Sequence, residues 1–317
     1  MRYFSRRSAF TLIELLVVIA VMGVLVSILL PALSQARNAG KAAVCLSRLR
    51  TLGQGLVLYA NNSKDTLVPG RLPKVDNENW RTRISGGIKY RPTFLVMMAV
   101  EVGLQPFDDP QPTKDSIDRF GEPGDRQNYS SEAYLCPEVL EWADERNGAY
   151  GYNYQFLGNA RLRDGGSTTA YKNWPVKSSW IRSPMSCVAV ADCIGTAASF
   201  PRHGRKDYEQ NRPGDSRSGR SVDALGNEGF NLDPPAVDPK NGEMANLKGG
   251  ANNARTALHE RHANKGVVLW LDGHGSRETL RSLGYEVDEE SGVVGFDGDN
   301  RFFSLRGDKN PWLETDP

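Results

Sequence analysis

The sequence predicts an α+β protein in which one long amino-terminal helix packs on an antiparallel β-sheet head. Residues 10–33 form an apolar run, and residues 34–60 continue it with apolar side chains at three- and four-residue steps, as in an amphipathic helix. Two further apolar runs, 186–192 and 266–271, have the length of buried strands and are bounded by turn-forming residues. Together these features favour a helix-on-sheet architecture.

The distribution of charge argues against a nucleic-acid partner. The chain of 317 residues has 39 Lys and Arg against 38 Asp and Glu. Its first nine residues contain Arg2, Arg6 and Arg7 and no acidic residue, so 36 basic and 38 acidic residues remain in the rest. Because phosphate binding requires a basic face, we expect no nucleic acid to bind the globular part.

The apolar run at residues 10–33 is long enough to cross a membrane. It contains one charged residue, Glu14, and as a helix it would span about 36 Å. Basic residues precede it and none follows until Arg37, which orients the amino terminus toward the cytoplasm. The sequence therefore predicts a single-pass inner-membrane protein whose head lies outside the cytoplasm and whose first helix contacts lipid.

Three interpretations of this segment compete. A secretory signal peptide would need a shorter apolar run and a small-x-small cleavage site at its end. A plain anchor helix leaves Glu14 unexplained, because a carboxylate is costly in the apolar phase. The third interpretation is a processed prepilin, in which Glu14 has a role.

The stretch from Ala9 to Glu14, AFTLIE, resembles the recognition site of prepilin peptidase in type IV pilin-like proteins, the prepilins and pseudopilins. The resemblance implies cleavage before Phe10, N-methylation of Phe10, and pairing of Glu14 with the terminal amine of a neighbouring subunit. Pro31 stands where the family commonly has proline, and Ala9 replaces the usual glycine. Implied partners are prepilin peptidase, other pilin-like subunits and inner-membrane assembly proteins, within a periplasmic or surface filament.

The chain divides into a leader at 1–9, a transmembrane half-helix at 10–33, an amphipathic half-helix at 34–60 and a head at 61–317. We expect the helix to end near Tyr59, with its last turns weakened by Gly53 and Gly55. The segment at 200–256 is poor in apolar residues and predicts a polar, mobile excursion. The other predicted elements are a buried helix at 94–104, a short strand that ends at 134–137, and a strand or turn at 150–154.

Four cysteines, Cys45, Cys136, Cys187 and Cys193, leave two alternatives open. An even number in an exported protein permits disulfides. Cys187 and Cys193 are six residues apart on one predicted strand, about 20 Å, so they cannot pair with each other. The alternative is that the cysteines are buried free thiols. The spacing matches no zinc motif.

Near the carboxyl end, His262 is followed by nine residues and then Asp272, Gly273 and His274. This pattern resembles a prepilin-type family defined by a His-x9-Asp-Gly motif. Cys45, Cys136-Pro137 and Ala191-Asp192 match further pieces of that family. The resemblance implies a pseudopilin-like role and supplies no catalytic residues.

The motif has two interpretations. In the first, Asp272 caps a turn after the strand, and His262 hydrogen-bonds a neighbouring backbone group. In the second, Asp272 and His274 bind a divalent metal with Asp192 from an adjacent strand. A separate stretch, 297–300, resembles the start of a calcium loop, although Arg301 occupies the next ligand position. We expect no other cofactor.

The favoured function is a pseudopilin-like structural subunit of a type II secretion or type IV pilus-like assembly. An alternative is a membrane-displayed binding module for a glycan or protein that uses the pilin segment for export. A metal-dependent enzyme is the third hypothesis. Such an enzyme would need three protein ligands that converge on one metal ion and an open coordination position for substrate or water.

Overall fold

The computed structural model describes residues 11–70, 72, 81–117, 121, 124–158, 176–208, 221–236 and 254–307. It confirms the α+β prediction, with one long helix, α1 (Leu12–Asn62), and a four-stranded antiparallel sheet. The leader residues and Phe10 lie outside the described part. The shorter helices are α2 (Phe94–Glu101) and α3 (Tyr154–Leu157), and the strands are β1 (Arg81–Ile84), β2 (Gly87–Tyr90), β3 (Tyr150–Tyr152), β4 (Val188–Asp192), β5 (Gly266–Trp270) and β6 (Gly275–Glu278).

Helix α1 has an exposed half and a packed half. Its 51 residues extend about 77 Å, and it ends three residues beyond the predicted Tyr59. Residues 12–40 are exposed along their whole length. Packing against the head begins at Ala42 and continues through a stripe at three- and four-residue steps: Cys45, Leu49, Leu52, Leu56 and Ala60. Contact with the head thus starts at Ala42, within the predicted amphipathic half at 34–60.

The packed half of α1 lies against α2 and against strands β5 and β6. A Cβ atom added at Gly55 would lie 1.9 Å from the carbonyl oxygen of Met98 in α2. One added at Gly53 would lie 2.6 Å from the Leu269 side chain in β5. The absence of a side chain at these two glycines therefore allows α1 to pack closely against α2 and β5. Helix propensity alone predicts only that the glycines weaken the helix.

The main sheet has the order β3-β4-β5-β6, with every neighbouring pair antiparallel. Alternate residues of β5 point to opposite faces, as the period of a strand requires. Val267 and Leu269 join the core beneath α1, and Val268 and Trp270 join a second core on the other face. The predicted runs at 186–192 and 266–271 thus form the two central strands.

Two predicted segments differ in the structure. The described residues 134–137 form no strand, and a short 3-10 turn occupies Glu132–Tyr134, in which the Ser131 side chain accepts a hydrogen bond from the Ala133 amide. This local bond holds the turn conformation in place of a strand. The expected helix at 94–104 is present, and it ends at Glu101.

The polar segment at 200–256 is partly exposed and partly buried. Residues 200–208 are exposed or half-buried, whereas residues 221–236 are largely buried, including Phe230 and Leu232. The Leu232 amide donates to the carbonyl of Tyr152 at 2.8 Å, which ties the segment to β3. Residues 209–220 and 237–253 lie outside the described residues.

Candidate functional site

The exposed half of α1 presents apolar side chains in all directions. Leu12 is 79% exposed, Ile13 73% and Leu33 67%. Within the described residues, α1 is the one helix long and apolar enough to cross a membrane, and its apolar window has no surface buried by the head. Such a continuous apolar surface marks contact with lipid or with other apolar helices.

The first turn of α1 is closed by a reciprocal pair of capping bonds. The Thr11 amide and hydroxyl both donate to Oε2 of Glu14 at 2.8 Å, and the Glu14 amide donates to the Thr11 hydroxyl at 3.3 Å. This capping box satisfies amides that begin the helix. Both bonds to the carboxylate end on Oε2, so Oε1 has no hydrogen bond within the described residues.

Pro31 lies inside a helix that continues on both sides of it. Proline has no amide hydrogen, so the Ser27 carbonyl four residues earlier lacks its usual helical donor. The sequence placed Pro31 among the assembly residues, and the structure places it on the exposed half of α1, beyond the reach of the head.

The Asp-Gly part of the carboxyl-terminal motif forms the tight turn between β5 and β6. Oδ1 of Asp272 accepts a hydrogen bond from the His274 amide at 3.1 Å, which confirms the predicted turn cap. The same oxygen lies 2.6 Å from Nδ1 of His274, whose ring stacks on Trp270. Gly273 has φ of +90°, a conformation that glycine adopts readily.

Among the described residues, the His262 side chain has no hydrogen bond to a backbone group, unlike the prediction. Its ring is fully buried, with Nε2 3.3 Å from Sγ of Cys136 and 3.4 Å from Oδ2 of Asp192. Asp192 is the last residue of β4 and lies beside the start of β5, where it accepts a hydrogen bond from the Val267 amide at 2.7 Å. Asp272 and His274 follow the other end of that strand, so the structure does not join them with Asp192 in one metal site.

Four side chains instead converge beneath α1: Cys45, Cys136, Asp192 and His262. Their candidate ligand atoms all lie within 4.8 Å of one another, and all four residues are fully buried. One comes from α1, one from the loop after residue 134, one from the end of β4, and one from the loop before β5. We call this group the buried cluster. Sequence reasoning noted each residue separately but missed their convergence.

Neighbouring groups hold the buried cluster in place. The Tyr150 hydroxyl lies 3.2 Å from Sγ of Cys45. Nε of Arg261 lies 3.6 Å from Oδ1 of Asp192. The Arg261 guanidinium is anchored by Nη2, which donates to the carbonyls of Ala149 at 2.9 Å and Cys193 at 2.8 Å. A fixed positive charge therefore faces the carboxylate inside the head.

Different interactions shift the thiol pKa values of Cys45 and Cys136, in the cluster, and those of Cys187 and Cys193, outside it. A hydrogen bond from Cys45 lowers the pKa of Cys136 to about 4, with His262 and Arg261 acting in the same direction against burial. The same bond, together with burial, raises the pKa of Cys45 well above its usual value. Burial raises the pKa of Cys187 and of Cys193 to about 12, and both remain ordinary buried thiols. All four cysteines are free.

Comparison with known proteins adds one match, to the start of the chain. The family model of the prokaryotic N-terminal methylation motif matches residues 4–30. No curated protein and no solved structure matches the chain. The matched residues run from the leader into the exposed apolar half of α1. The chain thus carries a prokaryotic N-terminal methylation motif on a helix able to span a membrane, which supports a type IV pilin-like protein.

Proposed function

We propose that the protein is a pseudopilin-like structural subunit of a type II secretion or type IV pilus-like assembly, processed by prepilin peptidase between Ala9 and Phe10. The observation that carries this proposal is the exposed half of α1. Residues 12–40 leave the head as a helix of about 44 Å with the methylation motif at its start. An apolar helix that its own head does not cover is suited to lipid before assembly and to neighbouring helices afterwards.

The charge pattern gives the proposed orientation. Arg2, Arg6 and Arg7 precede the apolar helix and would remain in the cytoplasm. The helix would cross the inner membrane once and place the head on the extracytoplasmic side. There the head would meet the inner-membrane assembly proteins and the other pilin-like subunits that this function requires.

Glu14 supplies the proposed contact between subunits. A carboxylate in the apolar phase is costly unless a cation pairs with it. Thr11 occupies Oε2 in the same chain, and Oε1 has no bond within the described residues. Cleavage before Phe10 would create a terminal amine, and the amine of a neighbouring subunit would neutralise the carboxylate and fix the register between helices.

The size of the head favours a position of low copy number in such an assembly. The head at 61–317 is several times longer than the helix that would pack in the filament. A minor or tip position would not require this bulk to repeat along a filament. The role is structural and requires no catalytic residue.

Glu14→Ala tests the proposal. The substitution removes a charge from the apolar helix, so membrane insertion should be unchanged, while recovery in cross-linked or sheared filament fractions should fall at least tenfold. Val21→Ala is the matched control, because it shortens an exposed side chain on the same helix without removing charge. Equal assembly of Glu14→Ala and native protein would contradict the proposal. Native protein that never associates with pilin-like subunits would instead favour a displayed binding module.

A further inference from the structure

We propose that the buried cluster of Cys45, Cys136, Asp192 and His262 binds one divalent metal ion of the zinc class, which fastens α1 to the head. The proposal is independent of filament assembly, because the four residues lie inside a single subunit. It differs from the metal site considered on sequence grounds, which used Asp272 and His274.

Three separations among these side chains, measured to one or the other carboxylate oxygen of Asp192, fall in the range of tetrahedral coordination, and the four candidate ligand atoms all lie within 4.8 Å of one another. Zinc binds sulfur at about 2.3 Å and nitrogen or oxygen at about 2.0–2.2 Å, so ligand atoms in a tetrahedral shell lie roughly 3.3–3.8 Å apart. Sγ of Cys136 is 3.3 Å from Nε2 of His262, and that nitrogen is 3.4 Å from Oδ2 of Asp192. Sγ of Cys45 is 3.8 Å from Oδ1 of Asp192.

The ligand types select the class of metal. Two thiolates and an imidazole favour zinc and similar borderline-soft ions over calcium and magnesium, which prefer oxygen ligands. Four protein ligands would fill a tetrahedral shell, and all four are fully buried. A closed shell without an open position is the pattern of a structural zinc site and not of a hydrolytic one.

The surrounding charges balance a divalent ion. Two thiolates and one carboxylate would carry three negative charges, while the ion and Arg261 would carry three positive charges. A balanced total lowers the cost of burying these charges in a site with no exposed surface. The Val267 amide, which donates to Oδ2 of Asp192 at 2.7 Å, orients the carboxylate as an outer contact commonly does for a metal ligand.

The ion would join parts of the chain that are distant in sequence. Cys45 is on α1, and its three partners belong to the head. A bond network through one ion would therefore fix the packed half of α1 against β4 and the loop before β5. A disulfide between Cys45 and Cys136 is the rival arrangement, and it would involve only two of the four side chains.

The test uses the full-length chain in detergent, purified without chelator and reconstituted with Zn²⁺ or Co²⁺. We expect about one metal ion per chain by elemental analysis. We also expect the Co²⁺ form to show the visible and near-ultraviolet absorption of a tetrahedral thiolate centre. Chelator should lower Tm, because an ion that binds only the folded state stabilises it.

Variants separate the cluster from the other buried thiols. Cys45→Ser and Cys136→Ser should lose metal and the chelator effect on Tm, and Asp192→Asn should bind at least tenfold more weakly. Cys187→Ser is the matched control, because Cys187 is a buried free thiol outside the cluster, and it should retain one metal ion. Circular dichroism of each variant shows whether it is folded. If a variant does not fold, the Co²⁺ spectrum of the native chain still tests for the metal site.

Three results would overturn the proposal. The first is a folded, reduced native chain that binds neither Zn²⁺ nor Co²⁺. The second is full metal content in folded Cys45→Ser and Cys136→Ser. The third is a Cys45–Cys136 disulfide found by non-reducing peptide mapping of protein isolated from native membranes.

Discussion

Gly273 and His262 stand at opposite ends of β5, and different physical effects govern them. Gly273 lies in a turn with φ of +90°, and a Cβ added there would have no atom within 4 Å. Position 273 therefore needs a residue that adopts positive φ. His262 is fully buried among polar groups, and its Nε2 atom needs the neighbouring Cys136 and Asp192 side chains as partners. A substitution at each position consequently tests a different part of the structure.

Gly273→Ala should destabilise the head by about 1–3 kcal/mol, because a residue with a Cβ atom resists this backbone conformation. Steric overlap does not contribute, since the space around the position is open. Chemical denaturation of the detergent-solubilised chain measures the free energy of unfolding. Gly204→Ala is the control, because Gly204 is also uncrowded but does not have positive φ. Equal effects of the two substitutions would contradict the turn argument.

His259 should make stability depend on pH. Burial lowers its pKa well below 6.5, with further lowering by Arg261, Arg205 and His262. The unfolded chain therefore binds a proton below pH 6.5 that the folded chain does not, so His259 stabilises the fold above pH 6.5 and this contribution is lost as pH falls.

The expected loss is at most about 1.4 kcal/mol per pH unit below 6.5. His259→Phe keeps an aromatic ring stacked on Trp142 but cannot titrate, so melting curves from pH 5 to 7 should depend less on pH. His203→Phe, at an exposed position, is the control. An unchanged pH dependence in His259→Phe would refute the assignment.

At the scale of elements, α1 joins two environments in one continuous helix. From Leu12 to Gly40 no side chain is covered by the head, whereas from Ala42 onward one stripe is in the core. Lys41 stands at the change of environment and forms an ion pair with Glu138 at 2.8 Å. The helix therefore leaves the head at Lys41, where the ion pair with Glu138 marks the boundary between the packed and the exposed half.

Two glycines of α1 should respond oppositely to alanine. Gly55→Ala should destabilise the head by about 1–3 kcal/mol, because the new Cβ atom would overlap the Met98 carbonyl and force α2 away. Gly40→Ala adds a Cβ atom in open space and improves helix propensity, so no loss of stability is expected. Thermal melting of both variants measures the difference. A Gly55→Ala variant as stable as Gly40→Ala would show that the two helices do not pack this closely.

At the scale of the whole molecule, one helix has an exposed half that is long and apolar enough to span a membrane and a packed half that belongs to the head core. The packed half of α1 covers the face of the sheet that includes Val267 and Leu269. The exposed half carries the methylation motif. A force applied to the exposed end would therefore be transmitted to the sheet through α1 and, in our proposal, through the metal ion bound by Cys45.

Patterns of neighbouring residues in the sequence predicted α1, β4 and β5 but did not predict β6 or the burial of residues 221–236. The periodicity of α1 and the apolar runs of β4 and β5 are properties of neighbouring residues, so the sequence displays them directly. Strand β6 has no apolar run, and it forms because β5 offers an edge and Trp270 Nε1 donates to the Ser276 hydroxyl at 2.8 Å. The burial of residues 221–236 likewise depends on tertiary contacts, including the bond from Leu232 to Tyr152.

The buried cluster could not be predicted from the sequence, because it also depends on tertiary contacts. Its members are at least 56 positions apart, so no spacing rule for metal ligands applies to them. The His-x9-Asp-Gly pattern places His262 before a strand and Asp272 after it, and in the structure β5 separates the buried imidazole from the turn.

The central claim is that the chain is a processed pilin-like subunit, and the amino terminus of the mature protein tests it most directly. Mass spectrometry of the amino-terminal peptide, from protein isolated out of native membranes, should find N-methylated Phe10 as the first residue. The basic leader and the small residue at Ala9 frame that bond, and the methylation motif spans it. A chain that still begins at Met1, or one cleaved after residue 30, would contradict the claim.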